Sequence, residues 1–151
     1  MTARKPAFTA VDGIDGAAIV AAARTALASI DREARGGISH WDASGLFGEA
    51  AVAGDEAGRP SARTLLLLYA ADLAFRLRWE IRPALAEGRG VVAAPYVDTA
   101  VAFGRAAGIE RAWLANLFQF APRPNQRRFA DEAARSRRGH GFVEFALEHA
   151  T

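Results

Sequence analysis

The side chains able to do chemistry in this 151-residue chain fall into a few short clusters. Asp12, Asp15 and Asp98 are carboxylates that could share a divalent cation. The Gly13-Ile14 spacer between the first two is equally the composition of a tight turn, and turn formation is the simpler reading. His40 lies close to Asp42 and could act with it as an acid–base pair, although one histidine at a strand end more simply serves packing or loop structure. Tyr69, Tyr96 and Phe103 offer aromatic faces on which a base could stack; their simpler role is as core. His140 and His149 have no third candidate at metal-ligand spacing. Cysteine is absent, which excludes disulfides, thiolate nucleophiles and thiolate metal sites together and fits a reducing compartment. No metal or cofactor is expected.

The elements that must position these groups alternate between strand and helix. Residues 7–11 read as a short buried strand, followed by the glycine turn Asp12-Gly13-Ile14-Asp15-Gly16 and an alanine-rich helix over 17–30, the opening of a βαβ unit. A second strand is expected over 37–41 and a loop rich in Gly, Asp and Glu over 51–60. The longest apolar stretch, 63–87, reads as one helix of roughly 35 Å at about 1.5 Å per residue. On it Leu66, Ala70, Leu73, Leu77, Ile81 and Ala84 form one stripe, and Leu65, Leu68, Phe75 and Trp79 widen it. Asp72, Arg76 and Glu80, four apart, are expected on the solvent side. So wide an apolar surface needs burial on two sides, against a sheet and against a second helix or subunit. Residues 91–94 form a continuous apolar run suited to a central parallel strand. Helices are expected over 97–107 and 109–121, a polar helix or loop over 125–130, and a short amphipathic helix over 142–149.

At this length one domain is expected, large enough to bury a core without metal or disulfide staples. The net charge is +2, with Lys5 as the single lysine. Arg123, Arg127, Arg128, Arg135, Arg137 and Arg138 fall in one late segment, but Asp131 and Glu132 interrupt them and no aromatic ladder accompanies them. The reading is a solvated basic face rather than a nucleic-acid footprint. No uncharged run approaches the ~20 residues of a membrane helix, and the N-terminus lacks the apolar core of a secretory signal. A cytoplasmic chain is the expectation.

In this order the residues resemble the thymidylate kinase family, the P-loop enzymes that phosphorylate dTMP with ATP and magnesium. FTAVDGIDG (8–16) is similar to the family's first strand and phosphate loop, Phe47-Gly48-Glu49 to the end of its second loop, TLLLLYAADLAFRLRWEIRPAL (64–85) to its long helix, and GVVAAPYVDTAVAF (90–103) to its signature strand and loop. The register continues from Trp113 to Pro124. The resemblance implies a three-layer α/β P-loop-type fold with a short parallel sheet of about three strands, a single domain over 1–151, and a divergent, basic, helical C-terminal segment over 125–151. It also implies a dimer through the long helix, with Leu66, Leu73, Phe75, Leu77 and Trp79 as the pairing residues.

The departures from the family pattern fall on the chemistry. A phosphate loop of the form G-x-x-x-x-G-K-[ST] supplies backbone donors, a lysine for the transferred group and a hydroxyl for magnesium. Here Gly13, Asp15 and Gly16 stand, but Ala18, Ile19 and Val20 replace the second glycine, the lysine and the hydroxyl residue. In the signature loop Ala94 and Pro95 replace an acidic residue and an arginine ahead of Tyr96, Thr99 replaces a serine, and Gly104 replaces a polar residue facing the base. Leu73 stands where the family's long helix carries the arginine that grips the acceptor phosphate, and the second loop's arginine and glycine-rich run reads His40, Asp42, Ala43, Ser44. One lost donor costs ~10²- to 10³-fold in rate, and one lost phosphoryl-stabilising arginine ~10³- to 10⁵-fold. The expectation is therefore a catalytically inactive, structural or interaction module that forms a homodimer, or a mixed dimer with a related protein. The alternatives are a residual or repurposed nucleotide enzyme built around Asp12, Asp15 and Asp98, and a nucleoside sensor using Tyr69, Tyr96 and Phe103. Without the family's outer strands the first strand would be a bare edge, so residues 126–151 or a partner must cover it.

Overall fold

The computed structural model describes residues 5–130 and 141–150, without the side chains of 54–57. Phe8–Asp12 (β1) is buried at every residue and leads through Gly13–Asp15 into Gly16–Ala28 (α1). A 3₁₀ turn at Arg32–Ala34 then delivers Arg35–His40 (β2), shifted by a residue or two from the expected strand. Leu46–Ala57 (α2) is helical over most of the stretch whose Gly, Asp and Glu content reads as a loop. Its start is held by the Asp42 carboxylate just ahead of the helix, which accepts from Phe47 N (2.8 Å) and Gly48 N (3.2 Å), and a cap of this kind offsets weak helix propensity.

The long apolar stretch forms Ala62–Arg76 (α3), passes through a π turn at Leu77–Ile81 and ends as Arg82–Ala86 (α4). Ser61 caps it by accepting from Thr64 N at 3.2 Å. Leu66, Leu73, Leu77 and Ile81 lie in the core as their spacing demands. Full burial stabilises each by about 1.5–3 kcal/mol. The polar strip is placed differently from expectation: Asp72 and Arg76 are fully buried, and only Glu80 is exposed. The sheet and the 40s loop pass along this side of the helix with backbone groups in need of partners, and these two side chains satisfy them.

Gly90–Ala94 (β3) follows, buried throughout, then Val97–Ala106 (α5) and Arg111–Leu117 (α6). Gln126–Phe129 is a strand (β4), not the polar helix or loop expected, and Phe142–His149 is the expected helix (α7). The sheet has four strands in the order β2-β3-β1-β4, all parallel, rather than about three. β4 gives no hydrophobic signal because all four of its side chains are exposed. It is defined by its backbone, which pairs Thr9 to Asp12 with Gln126 to Phe129 and is extended by Asn125 N to Phe8 O (2.7 Å) and Ala130 N to Asp12 O (2.8 Å). The edge of β1 is thus covered by the chain itself, and Arg127 and Arg128 place charge on the new outer strand, which discourages further pairing.

From β1 the chain first builds β2 and β3 on one side and then β4 on the other. The crevice beyond the carboxyl ends of β1 and β3 is therefore the topological switch point, where open parallel sheets place their ligand loops.

Candidate functional site

Asp12 closes β1 at that crevice and is 2% exposed. Its Oδ1 accepts from Tyr96 N (2.8 Å), Thr99 N (3.1 Å) and Thr99 Oγ1 (2.7 Å). Burial raises its pKa above the usual carboxylate value; the hydrogen bonds from Thr99 and Tyr96 oppose that shift and nearby Asp98 adds to it. Asp15 caps α1 by accepting from Ala17 N at 2.9 Å, and Asp98 lies 3.4 Å from Arg127. The three aspartates therefore have separate structural work, and no three His, Asp or Glu side chains among the described residues are grouped as a metal site.

The segment that the resemblance marks as a degenerate phosphate loop is packed as apolar structure. Ile19, expected at the lysine position, is 3% exposed and packs with Val11, Ala23, Val92 and Ala94, while Ala18 is also buried and Val20 half-buried. A cavity of about 170 Å³ remains between Gly16, Ile19, Val20, His40, Trp41 and Pro95.

Behind the crevice, Arg76 carries a fully buried guanidinium. It donates through Nε to Ser39 Oγ (2.9 Å) and through Nη2 to the carbonyls of Ser39 (2.8 Å) and Pro95 (2.6 Å). Ser39 Oγ in turn donates to Glu80 Oε1 at 2.7 Å, so Glu80 reaches the arginine through a hydroxyl. Nη1 is buried without a hydrogen-bond partner. Asp72 accepts from Asp42 N (2.8 Å), Ser44 N (2.9 Å) and Ser44 Oγ (2.6 Å), which pins the 42–44 loop to α3. His40 and Asp42 do not form a pair: Asp42 caps α2, and partial desolvation followed by Arg76 pulls the His40 pKa below its ordinary value. Sequence reasoning missed Asp72 and Arg76 because their i, i+4 spacing is that of a solvent-side ion pair.

Tyr69 and Tyr96 are buried, with pKa values raised chiefly by burial, so both remain phenols that donate. The Tyr69 hydroxyl donates to the Tyr96 carbonyl, and the Tyr96 hydroxyl to Pro122 O at 2.6 Å. Phe103 is half-buried. No open base seat lies between Tyr69 and Phe103, because Phe142 of α7 fills it. Ring centroids lie 4.7 Å from Tyr69, 5.3 Å from Phe103, 5.6 Å from Phe47 and 6.2 Å from Trp41, all edge-on. Two residues on, Glu144 accepts from Gly16 N with both oxygens, at 3.2 and 3.0 Å. In the sequence the Gly141-x-x-Glu144 spacing marks only a helix start, in which Glu144 also accepts from Gly141 N at 3.3 Å; it carries no signal for the contact with Gly16. His149 packs on Phe145 at 4.3 Å.

Of the residues assigned to a dimer face, Leu66, Leu73 and Leu77 are used inside the subunit, while Phe75 (38%) and Trp79 (62%) are exposed. Leu67 and Phe120 are exposed as well. Asp131, Glu132, Arg135, Arg137, Arg138 and His140 lie outside the described residues. No helix among those described is long and apolar enough to cross a membrane.

The strand–turn–helix crevice, the parallel sheet and the helices on both faces define an α/β domain with the fold of a nucleotide kinase. More particularly, the chain is thymidylate kinase-like. It is 32% identical over 123 residues to a probable thymidylate kinase of Pyrobaculum calidifontis, an alignment that takes in 78% of this chain and 60% of that protein. It is 41% identical over 59 residues to a probable thymidylate kinase of Pyrococcus horikoshii, 39% of this chain and 29% of the relative. The chain thus spans less than two thirds of the length of either relative. No protein-family model matches it. Among solved structures, a thymidylate kinase from Ehrlichia chaffeensis shares the fold with a TM-score of 0.64, at 18% identity over 85% of this chain and 76% of that one.

Proposed function

We propose that this is a thymidylate kinase-like module that does not transfer phosphate and acts instead through its surfaces, paired with a second copy or with a related chain. The observation that carries the reading is the phosphate loop. The side chain in the lysine position is Ile19, turned into the core, and the first amide of α1 is already engaged by a carboxylate of the same chain. A triphosphate at that place would meet an apolar wall and a negative charge instead of a cation. Leu73 and Pro95 add nothing in compensation: Leu73 is buried in the core, and the carbonyl of Pro95 faces Arg76.

The expected outcome of an assay of ADP release from ATP and magnesium with dTMP is no transfer above the protein-free blank. Losses of this kind are not additive, but several at once remove the greater part of the electrostatic stabilisation that drives phosphoryl transfer. Turnover on the order of once per second, within the range of working kinases, would overturn the proposal. The nucleoside-sensor alternative requires Phe142 to leave its place beside Tyr69 and Phe103.

A further inference from the structure

The two edges of the sheet are built differently. β2, at one edge, pairs with β3 through a register shift between Arg35 and Gly37, where Gly37 takes a φ of 114°, and an irregularity of this kind turns an edge away from further strands. β4, at the other, runs in unbroken register with β1 from Gln126 to Phe129 and contains neither glycine nor proline. Among the described residues no strand lies beyond it. Successive residues of a parallel strand turn their N–H and C=O groups to opposite neighbours. Asn125 N donates to Phe8 O, so Arg127 also turns towards β1, while Gln126 and Arg128 turn outward.

The side chains determine what kind of strand this outer edge would take. All four are exposed, so no helix covers either face of β4. Arg127 lies on the face of Ala10 and Arg128 on that of Val11, which gives each face of the edge a cation. Arg127 is 3.4 Å from Asp98, whereas Arg128 has no ion-pair partner among the described residues. Phe129 keeps 70% of its surface in solvent at the end of the same strand. Like charges opposite one another on neighbouring strands destabilise the pair, and opposite charges stabilise it. The arginines that discourage pairing with a second copy of β4 therefore favour a strand that carries carboxylates.

We propose that the outer edge of β4 is a docking site for an extended, acidic segment of a partner protein, which adds a further strand with carboxylates beside Arg127 and Arg128 and an apolar side chain beside Phe129. The backbone ladder supplies the affinity and the charges select the partner. This edge shares no residue with the exposed row on α3, so the inference stands apart from the pairing proposed above and from whether the chain turns over a substrate.

The test uses the full chain and a short synthetic peptide with two adjacent glutamates at its centre and valines around them. Its controls are the same peptide with lysines for the glutamates, and the glutamate peptide N-methylated at alternate residues, which has lost the donors along one edge. In the free protein the amides of Gln126 and Arg128 should exchange fast and that of Arg127 slowly. The glutamate peptide at ten times its dissociation constant should slow exchange at Gln126 and Arg128 by about tenfold. It should bind on the order of tenfold more tightly than the lysine peptide, and the N-methylated form should not protect these amides. Arg128→Glu, at an exposed position, should shift the preference towards the lysine peptide with an unchanged urea midpoint. Equal affinity for the glutamate and lysine peptides, a preference unaltered in Arg128→Glu, or full protection by the N-methylated form would overturn the proposal. So would slow exchange at Gln126 and Arg128 in the protein alone, which would mean that this chain or a second copy of it already covers the edge.

Discussion

Asp12 holds three donors on one carboxylate oxygen, and two substitutions there separate hydrogen bonding from charge. Asp12→Ala leaves Tyr96 N and Thr99 N buried without a partner and should destabilise the fold by about 2–4 kcal/mol, measured by denaturant unfolding. Asp12→Asn keeps an acceptor oxygen and should lose clearly less. The charge has its own signature in pH. Because the folded-state pKa is raised above 3.8, the native state binds more protons than the unfolded state between that value and the raised one. This group's contribution is therefore fully present below pH 3.8 and is lost as pH rises through the folded pKa. The Asn variant should lack that fall when unfolding free energy is plotted across the window. An identical slope in both proteins would assign the titration to another group. That Asp12 sits beside a turn was legible from Gly13, Asp15 and Gly16. Its burial under Thr99 was not, since 86 residues separate Gly13 and Thr99 and only the fold brings them together.

β4 and α7 are the elements whose placement changes the picture of the molecule. β4 depends on Asn125, whose side-chain oxygen accepts from Phe8 N at 2.7 Å while its own N–H donates to Phe8 O. Asn125→Ala should destabilise by about 1–2 kcal/mol, shifting the urea midpoint without changing the slope, because one hydrogen bond is lost and no new surface is exposed. A change in slope would mean that the whole strand detaches. Hydrophobic periodicity located β1, β3 and most of α3 because their burial imposes an apolar pattern. It could not locate β4, which buries backbone and no side chain. α2 escaped for a related reason, since its start is secured by Asp42 from outside the helix.

For the molecule as a whole, the outer face of α3 and the π turn leaves Leu67, Phe75 and Trp79 exposed beside Phe120, with Arg78 stacked on Trp79 at 5.1 Å. An exposed row of this kind is what a second subunit would cover. Sedimentation at tens of micromolar should give twice the 16.1 kDa chain mass, and Trp79→Glu should give the single chain mass with an unchanged unfolding midpoint. A monomeric wild type would remove the dimer from the proposal. Leu77→Arg is unsuited to this test because Leu77 is 3% exposed and its loss would unfold the subunit. The sequence by itself determined the α/β class, the chain order of the first three strands with α1 and the long helix, the likeness to thymidylate kinases and the presence of an isoleucine at position 19. These are local properties, set by burial period, turn residues and residue identity. Only the tertiary structure decided that Asp72 and Arg76 face inward, that β4 closes the edge of β1, and that Phe142 and Glu144 occupy the crevice. Each of those rests on contacts between residues far apart in the chain, and a backbone amide in need of a partner leaves no mark on the sequence that supplies it.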